Sequence, residues 1–477
     1  MNKKTIFSLL TALFLTGCMV GPDYRRPAIE SPPAWNIEEK EAKDTANSSW
    51  WQQFNDPVLN ALIEESLKNN VDLRIATARI DEYVGRYWVW RSGLFPQIGG
   101  YAEAGRSRVS EEGSAPLSPQ VKNPADFYQG VLNGSWEIDL WGKLRRATEA
   151  GRADLLATEE ARQGVILSLV SAVANGYISL RNFDKQREIA VRTAKVREES
   201  YKLFNQRFEG GVISELELNQ VKSEYEQALA TIPQIEKQIV FQENGLSQLI
   251  GKNPGPIARG KSMDELILPV VPAGLPSDLL EKRPDIRQAE QSLVAANARI
   301  GVARAQYFPT LSLTGFFGWA SEDLSNLFAG PAKIWNWGGM MTAPIFTGGA
   351  VRGQVMSAEA IRQQALFNYR NTIQTAFREV EDSLIDQRRT REQLEAQQRQ
   401  VDALRETARF ARIRYDNGYT SYIEVLDAER SLFSAELTYA QTQGILFSAL
   451  VNLYKAMGGG WVVEADKLTA APVEGKP

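Results

Sequence analysis

The chain contains two copies of one unit, and this repeat constrains the fold more than any other feature of the sequence. Asp72 and Phe95 recur 213 residues later as Asp285 and Phe308, each within a similar segment. A further match follows with a spacing of 207 residues. It pairs Arg207-Phe208-Glu209-Gly210-Gly211 with Arg414-Tyr415-Asp416-Asn417-Gly418. Since the matches keep their order, we expect two tandem structural repeats.

Each unit contains a stretch that predicts a very long helix. Residues 354–417 contain neither Gly nor Pro, and one continuous helix of that length would extend about 95 Å. Apolar residues recur every three or four positions along the stretch, which predicts one packed face. They are Leu366, Tyr369, Ile373, Phe377, Val380 and Leu384, followed by Leu394, Val401, Leu404, Ala408, Ala411 and Tyr415; the first unit has Ile166, Leu169, Val173, Tyr177, Leu180 and Phe183. A coiled coil that only dimerises the chain is the alternative.

Four further segments alternate between apolar and polar residues, which is the pattern of β-strands. The segments are residues 96–108, 127–140, 311–319 and 334–346. The first is the least regular, because Ile98 and Tyr101 fall on opposite parities. Segments of about ten residues with aromatic ends are typical of transmembrane β-barrels. A soluble hairpin or sandwich is the alternative.

Four strands in one chain cannot close a barrel, and open sheet edges are not tolerated in lipid. A membrane-spanning sheet of this kind therefore requires several chains. Two chains would give eight strands, whose interior is filled by side chains, whereas three would give twelve and leave room for a passage. Every predicted strand joins a helix at the same end, so the helices would continue the barrel as a tube.

The N-terminus reads as an export signal. Lys3 and Lys4 precede a short apolar run that is typical of signal peptides and too short for a membrane helix. The run ends in Leu15-Thr16-Gly17-Cys18, which resembles the bacterial lipobox, and Met19 resembles the outer-membrane sorting default. An ordinary cleavage site beside an incidental Cys18 is the alternative. After Cys18 no 18 apolar residues occur without interruption, so further insertion must use strands.

The composition excludes several kinds of chemistry. The chain has no His, one Cys and a net charge of −4. These values exclude His-based catalysis, His or thiolate metal sites, and the basic surface of a nucleic-acid-binding protein. A carboxylate-pair enzyme of the glycosidase type, with Trp residues stacking on sugars, would need a pocket motif that we do not find. We therefore expect no enzyme and no metal or other cofactor.

Several landmark motifs follow one another along the chain: Pro22-Asp23-Tyr24-Arg25-Arg26-Pro27, Trp50-Trp51, Phe54-Asn55-Asp56-Pro57, Ala78-Arg79-Ile80 with Ala298-Arg299-Ile300, and Leu453-Tyr454-Lys455-Ala456-Met457-Gly458-Gly459-Gly460-Trp461. With these motifs and the repeat, the chain resembles the outer-membrane factors of tripartite efflux systems, the TolC-like family, in its lipoprotein branch of NodT type. The resemblance covers essentially the whole mature chain.

Membership implies a mainly α fold with transmembrane β-strands, assembled as a homotrimer. The trimer would form a 12-stranded β-barrel continued by a 12-helix periplasmic α-barrel, with a mixed α/β equatorial belt. It also implies that Cys18 carries N-palmitoyl and S-diacylglycerol chains in the outer membrane. The implied partners are a periplasmic adaptor (membrane fusion) protein and an inner-membrane, proton-driven pump of the RND type. Drugs, metal cations, aromatic compounds and secreted peptides all stay open as cargo.

The expected organisation follows the repeat. It assigns residues 1–17 to a lipoprotein signal peptide, 18–57 to a lipidated N-terminal arm, 58–95 to the repeat 1 helices, 96–140 to the repeat 1 β-barrel hairpin, 141–252 to the repeat 1 long helical hairpin, 253–276 to an equatorial linker, 277–306 to the repeat 2 helices, 307–347 to the repeat 2 β-barrel hairpin, 348–458 to the repeat 2 long helical hairpin, and 459–477 to a C-terminal equatorial tail.

The resemblance also implies a gate at the turns that join each pair of long helices. Gly211 and Gly418 mark these turns, where an adaptor would dock. Family positions that line the periplasmic constriction correspond to Glu424 and Asp427, with Ile423 beside them, and positions that latch the gate correspond to Tyr415 and Glu217. A latching arginine of the family corresponds to Thr420, so that part of the latch is absent.

Two alternatives stay open for these residues and for the chain. A Glu and Asp spaced i, i+3 also occur on ordinary solvated helix faces. A periplasmic adaptor or coiled-coil scaffold would explain the lipobox and the long helices. It would leave the four amphipathic strands unexplained.

Overall fold

The computed structural model describes residues 19–28, 32, 49–112, 122–268, 279–458 and 461–469. In chain order the elements are α1 (Pro57–Asn69), α2 (Val71–Ser92), β1 (Gln97–Ser107), β2 (Ala125–Ile138), α3 (Lys143–Glu209), α4 (Glu215–Leu249), α5 (Leu279–Lys282), α6 (Pro284–Ala305), β3 (Thr310–Ser321), β4 (Lys333–Thr342), α7 (Ala350–Asp416), α8 (Tyr422–Met457) and α9 (Trp461–Asp466). Helix, two strands and two long helices occur twice, which confirms the tandem repeat. Cys18 lies outside the described residues.

The described chain divides into two compact units. We call the first the sheet unit; it consists of the described residues up to Ala28, Ile80–Thr158 and Ala289–Tyr369. The second, the helical unit, contains the described residues of Ile29–Arg79, Glu159–Gln288 and those from Arg370 onward.

In the sheet unit, the strands of the described residues form one antiparallel sheet in the order β1-β2-β3-β4. Directly paired residues of antiparallel strands share a face. The register collects apolar side chains from all four strands on one face: Ile98, Leu132, Trp136, Ile138, Leu311, Leu313, Phe317, Trp319, Trp335, Trp337 and Met341. The parity predicted for the strands is confirmed. Both outer strands, β1 and β4, are paired on one side only within the described chain.

The opposite face of the sheet is mostly polar. It carries Gln97, Glu103, Gln129, Asn133, Ser135, Glu137, Ser312, Thr314 and Asn336. Tyr101 belongs to this face, where its hydroxyl accepts a hydrogen bond from Gln129 at 3.2 Å. The irregularity of the first predicted strand thus has a local reason: Ile98 faces the apolar side and Tyr101 the polar side.

The last strand is shorter than predicted. β4 ends at Thr342, whereas the alternation suggested a strand up to Phe346. Pro344 has no backbone N–H to donate to a neighbouring strand, so the ladder stops just before it. Ile345 and Phe346 beyond it are almost fully exposed in the single chain. The prediction was wrong at this end because it used only the alternation of apolar and polar residues, which does not show that Pro344 lacks a backbone N–H.

Two of the junctions between strands and helices, the one after β2 and the one before β3, contact each other in the sheet unit. The indole of Trp141 donates a hydrogen bond to the Pro309 carbonyl at 2.7 Å and stacks on Phe308. The N-terminal arm lies against the same region, since the Val20 amide donates to the Trp141 carbonyl at 3.0 Å. Further along the arm, Asp23 pairs with the buried Arg146 at 2.6 Å. The first described residues are thereby held beside the end of β2.

The helical unit has an aromatic core built from distant parts of the sequence. Trp50 stacks on Tyr454 at 4.7 Å, and the rings of both Trp50 and Trp51 lie 5.9 Å from that of Trp461. Residues Trp50–Phe54 form a short 3-10 helix with these side chains buried. The end of the predicted irregular arm is therefore part of a packed core. The described residues of the predicted belt are helical or irregular, and its strand component stays a prediction.

The stripes predicted for the long helices are largely buried. In α3 they include Ile166, Val173 and Tyr177, and in α7 Ile373 and Val380, all at most 1% exposed. Among the described helices, α3 contains an 18-residue stretch apolar enough to cross a membrane, with mean hydropathy 1.4, and 61% of that stretch is buried in the chain. Such burial is equally typical of a packed core helix, so the stretch alone does not assign a helical span.

Candidate functional site at the helix tips

Each pair of long helices is joined by the same backbone turn. Gly211 and Gly418 adopt φ angles of 68° and 76°, the left-handed region that glycine enters at little cost. In the first tip the amides of Gly211 and Val212 donate to Phe208 and Arg207, both at 2.9 Å. In the second tip the corresponding amides, of Gly418 and Tyr419, donate to Tyr415 and Arg414 at the same distance. Both turns therefore end their helix by the Schellman pattern.

The first tip uses its glutamate to start the next helix. The Ser214 side chain accepts from the Glu217 amide at 3.3 Å, and the Glu217 carboxylate accepts from the Ser214 amide at 2.9 Å. This reciprocal arrangement is a capping box, which satisfies two amides that the first helical turn leaves free. Glu217, predicted as a latch residue, is thus engaged within its own helix.

The second tip places its glutamate differently. Ser421 occupies the same N-cap position in α8 but makes no side-chain cap hydrogen bond to the described residues. Glu424, the counterpart of Glu217, lies 3.6 Å from a guanidinium nitrogen of Arg414 across the turn. Both side chains are at least half exposed. The carboxylate of Glu424 is therefore available at the surface of the first turn of α8.

Asp427 lies on the same surface of α8 as Glu424. Its carboxylate is 3.5 Å from Arg430 one turn later, and it is 64% exposed. Arg430 also contacts Glu224 of α4 at 2.7 Å. The structure thus brings the two predicted gate carboxylates together, and each has an arginine of the same chain beside it.

Behind this surface lies a buried ion pair. Arg197 of α3 and Glu224 are each less than a tenth exposed and approach to 3.1 Å. Arg197 also donates to the Glu224 carbonyl at 2.7 Å, and its guanidinium lies over the Phe433 ring. Burial lowers the pKa of Arg197, and the nearby Glu224 carboxylate opposes that change. The pair joins α3 to α4 below the tip, and Arg430 extends it to α8.

Apolar packing holds the two tips together. Phe204 and Tyr422 have ring centroids 4.2 Å apart, and Val221 and Val425 are buried in the same cluster. Tyr415, the second predicted latch residue, packs on this cluster and accepts a hydrogen bond from Arg207 at 2.8 Å. Tyr415 therefore links the end of one long helix to the end of the other within this chain.

The remaining predicted residues lie at the rim of the tips. Ile423 is 41% exposed, next to Glu424. The hydroxyl of Thr420 is buried and has no hydrogen-bond partner among the described residues. Val212 and Tyr419, at equivalent places in the two turns, are both more than 70% exposed. The tips thus present apolar side chains beside acidic ones.

A cavity of about 450 Å³ lies between α3, α7 and α8, on the same side of the tips as the buried ion pair, because Arg197 is one of its lining residues. Its lining comprises Arg192, Thr193, Val196, Arg197, Arg405, Ala408, Glu429, Leu432, Phe433 and Glu436. Glu429 also lines a second cavity, with Arg412. It forms no ion pair with the described residues. Burial raises the pKa of Glu429, and Arg412 and Arg197 partly oppose the effect.

The arginine partners were not anticipated from the sequence. Asp427 and Arg430 have the i, i+3 spacing of a helical ion pair, which is a usable signal. The pairs Arg430 with Glu224 and Arg414 with Glu424 join different helices and leave no such signal.

Within the described residues no group of His, Cys, Asp and Glu could hold a metal ion.

The fold and the tips can be compared with known proteins. The sequence model of the family described as outer membrane efflux protein matches residues 62–252 and 275–459, one segment in each repeat. The chain is similar to the toluene efflux pump outer membrane protein TtgC of Pseudomonas putida, with 37% identity over 97% of this chain and 96% of that protein. It is also similar to the cation efflux system protein CusC of Escherichia coli, with 36% identity over 96% of this chain and 100% of that protein.

The crystal structure of the Campylobacter jejuni CmeC outer membrane channel resembles this chain with a TM-score of 0.89 and 27% identity, covering 95% of this chain and 99% of that one. The family model accounts for most of the chain, and the relatives match it nearly from end to end. This chain belongs to the outer membrane efflux protein family and is an outer-membrane protein.

Proposed function

We propose that three copies of this chain form the outer-membrane exit duct of a tripartite efflux pump. The observation that carries this proposal is the four-stranded sheet, with one continuous apolar face, one polar face and two edges paired on one side only. Three such sheets joined edge to edge would close a 12-stranded barrel with its apolar face toward lipid and its polar face toward a passage. The long helices of the three chains would continue that passage into the periplasm.

The anchor of the duct is the lipidated Cys18, carrying N-palmitoyl and S-diacylglycerol chains. Met19 packs against Gly142, and the Val20 amide is bonded to Trp141, both just after the end of β2. Acyl chains on the preceding residue would start beside the end of a membrane-spanning strand. Two or more chains anchor a protein stably without spanning the bilayer.

The gate of the duct lies at the helix tips. Glu424 and Asp427, with Ile423 at the rim, line the constriction, and Tyr415 and Glu217 hold the tips closed. The turns at Gly211 and Gly418 dock a periplasmic adaptor, which connects the duct to an inner-membrane RND-type pump. The exposed Val212 and Tyr419 support this docking, since apolar residues at a tip favour a protein partner.

The cargo is not assigned. The names of two relatives specify toluene and cations, yet their identities to this chain, 37% and 36%, are nearly equal. Overall similarity therefore favours neither cargo, and the proposal concerns the duct alone.

The test is single-channel recording of the purified full-length protein in planar bilayers, with its mass measured by light scattering in detergent. We expect a trimer that conducts ions. Glu424→Ser combined with Asp427→Ser should raise conductance and weaken cation preference. The control is Asp402→Ser with Glu406→Ser, another exposed acid pair with arginine partners, on α7. A monomer without conductance would overturn the duct in favour of a scaffold, and unchanged conductance and selectivity in the gate variant would overturn the gate.

A further inference from the structure

Both carboxylates of the proposed gate face a guanidinium of their own chain. We infer that Arg414 and Arg430 set the charge, and hence the ion preference, of this gate. The inference rests on the proposed function, since it concerns the same constriction. The acidic pair alone would give the constriction of a trimer six carboxylates and a strongly negative charge. With Arg414 and Arg430 beside them, three chains would present six carboxylates together with six guanidinium groups.

Arg430 is held in place from behind. It lies 2.7 Å from Glu224 and 3.5 Å from Asp427, so one guanidinium bridges a buried and an exposed carboxylate. Glu224 is fixed in turn by the buried Arg197. The Arg430 side chain is nevertheless 52% exposed, so its charge acts on the water beside Asp427. A cation at this place reduces the negative potential that Asp427 offers to a passing ion.

Arg414 is held less firmly. Its guanidinium is 3.6 Å from Glu424, and it is 58% exposed. The contact crosses the turn from the last residues of α7 to the first turn of α8, where the helix N-terminus already favours negative charge. Arg414 therefore partly cancels Glu424 without burying it.

The first repeat shows that these arginines are specific to the second tip. At the spacing of 207 residues, Arg430 corresponds to Ser223 and Asp427 to Gln220. Arg207 corresponds to Arg414, but it donates to the Tyr415 hydroxyl rather than facing a carboxylate. Only the second tip therefore sets two acid–arginine pairs side by side among the described residues.

The experiment measures the reversal potential of the full-length trimer in planar bilayers under a KCl gradient. Arg414→Gln and Arg430→Gln should each raise the permeability ratio of K⁺ to Cl⁻ by about threefold at about 0.01 M salt, and the effect should nearly vanish at about 1 M, where screening is strong. Arg389→Gln is the control, because it removes the same charge from an exposed pair of α7 that lies away from the tip. Arg430→Lys keeps the charge and should retain the wild-type ratio.

Two outcomes separate this inference from the gate itself. If Glu424→Ser with Asp427→Ser shifts the permeability ratio while both arginine variants keep the wild-type value, the gate stands and the inference is overturned. If the acidic double variant also leaves the permeability ratio unchanged, the gate assignment is overturned. The inference is then overturned as well, because it concerns the same constriction. Arg430→Gln weakens a buried network, so size-exclusion chromatography must show an intact trimer. Arg414→Gln, which is exposed, supplies an independent reading.

Discussion

The two helix tips share a backbone and differ in what their side chains do. Both turns place a glycine in the left-handed region and close with the same pair of amide hydrogen bonds. Both continue with a serine followed three residues later by a glutamate, Ser214 with Glu217 and Ser421 with Glu424. Only the first pair forms a capping box among the described residues. A repeated motif therefore fixed the turn without fixing the role of its glutamate.

The difference extends into the packing behind the tips. The first hairpin contains the buried pair Arg197 and Glu224. At the spacing of 207 residues the second hairpin has Leu404 and Ser431 there, which need no ion pair. The first hairpin thus uses an arginine and a glutamate in a buried ion pair, while the second tip has two carboxylates at its surface. The two repeats have therefore diverged in the charged side chains at and behind their tips.

The largest expected effect comes from making the first hairpin resemble the second. Arg197→Leu leaves Glu224 buried with Arg430 as its remaining cation and should lower the local stability of the tip by about 3 kcal/mol. Hydrogen exchange of tip amides, followed by mass spectrometry, measures this as faster exchange. Adding Glu224→Ser installs the pair of the second repeat and should restore much of the loss. If the double variant lost as much local stability as Arg197→Leu and Glu224→Ser lose in sum, the result would contradict the comparison between the two hairpins.

The shared part of the tips should respond equally to substitution. Gly211→Ala and Gly418→Ala each force a Cβ into the left-handed region, at about 1–2 kcal/mol. A Cβ at either position meets no atom within 4 Å, so backbone strain is the only local cost. Hydrogen exchange of the two turns should therefore accelerate by similar factors. Clearly unequal factors would show that the two turns are not equivalent.

The caps should respond unequally. Ser214→Ala removes a capping hydrogen bond and should cost about 1 kcal/mol, or about fivefold faster exchange in the first turn of α4. Ser421→Ala removes no side-chain cap bond to the described residues and should leave the first turn of α8 nearly unchanged. Equal losses would mean that Ser421 also caps its helix in solution, and the contrast between the tips would then disappear.

The sequence predicted what periodicity and turn chemistry determine. The apolar stripes of the long helices follow from a spacing of three to four residues, and the strand parities follow from a spacing of two. The two turns follow from Gly211 and Gly418, since glycine readily adopts the left-handed conformation that ends a helix. The end of β4 could also have been predicted, since Pro344 lacks the donor that a paired strand needs.

What the sequence could not supply are contacts between distant segments. Trp50, Trp51 and Trp461 were recognisable only as landmarks of a resemblance, and no local pattern indicates that they form one aromatic cluster. Glu224 and Arg430 are equally ordinary helix residues until packing sets them 2.7 Å apart. These pairings depend on which helix faces which, and the pattern within one helix does not encode that.

The smallest effect concerns Glu429, whose counterpart in the first repeat is Lys222. Glu429→Gln should slow exchange of the tip amides at about pH 7. This change should be smaller in size than the acceleration caused by Ser214→Ala. Near pH 4 the variant and the wild type should exchange at the same rate. Both proteins are compared at the same pH, so that the intrinsic exchange rate cancels. Lys222→Gln, an exposed substitution, is the matched control and should show no pH-dependent difference from the wild type.

The sign of the Glu429 effect follows from linkage. Burial raises the pKa of Glu429 in the folded tip, so the folded state binds this proton more tightly than the unfolded chain, whose glutamate titrates near 4.3. The stability that the proton provides is present below the unfolded value and is lost as pH rises through the folded one. Gln, which never ionises, avoids that loss. Faster exchange of the Gln variant at about pH 7 would instead show that the attraction of ionised Glu429 to Arg197 and Arg412 outweighs its burial.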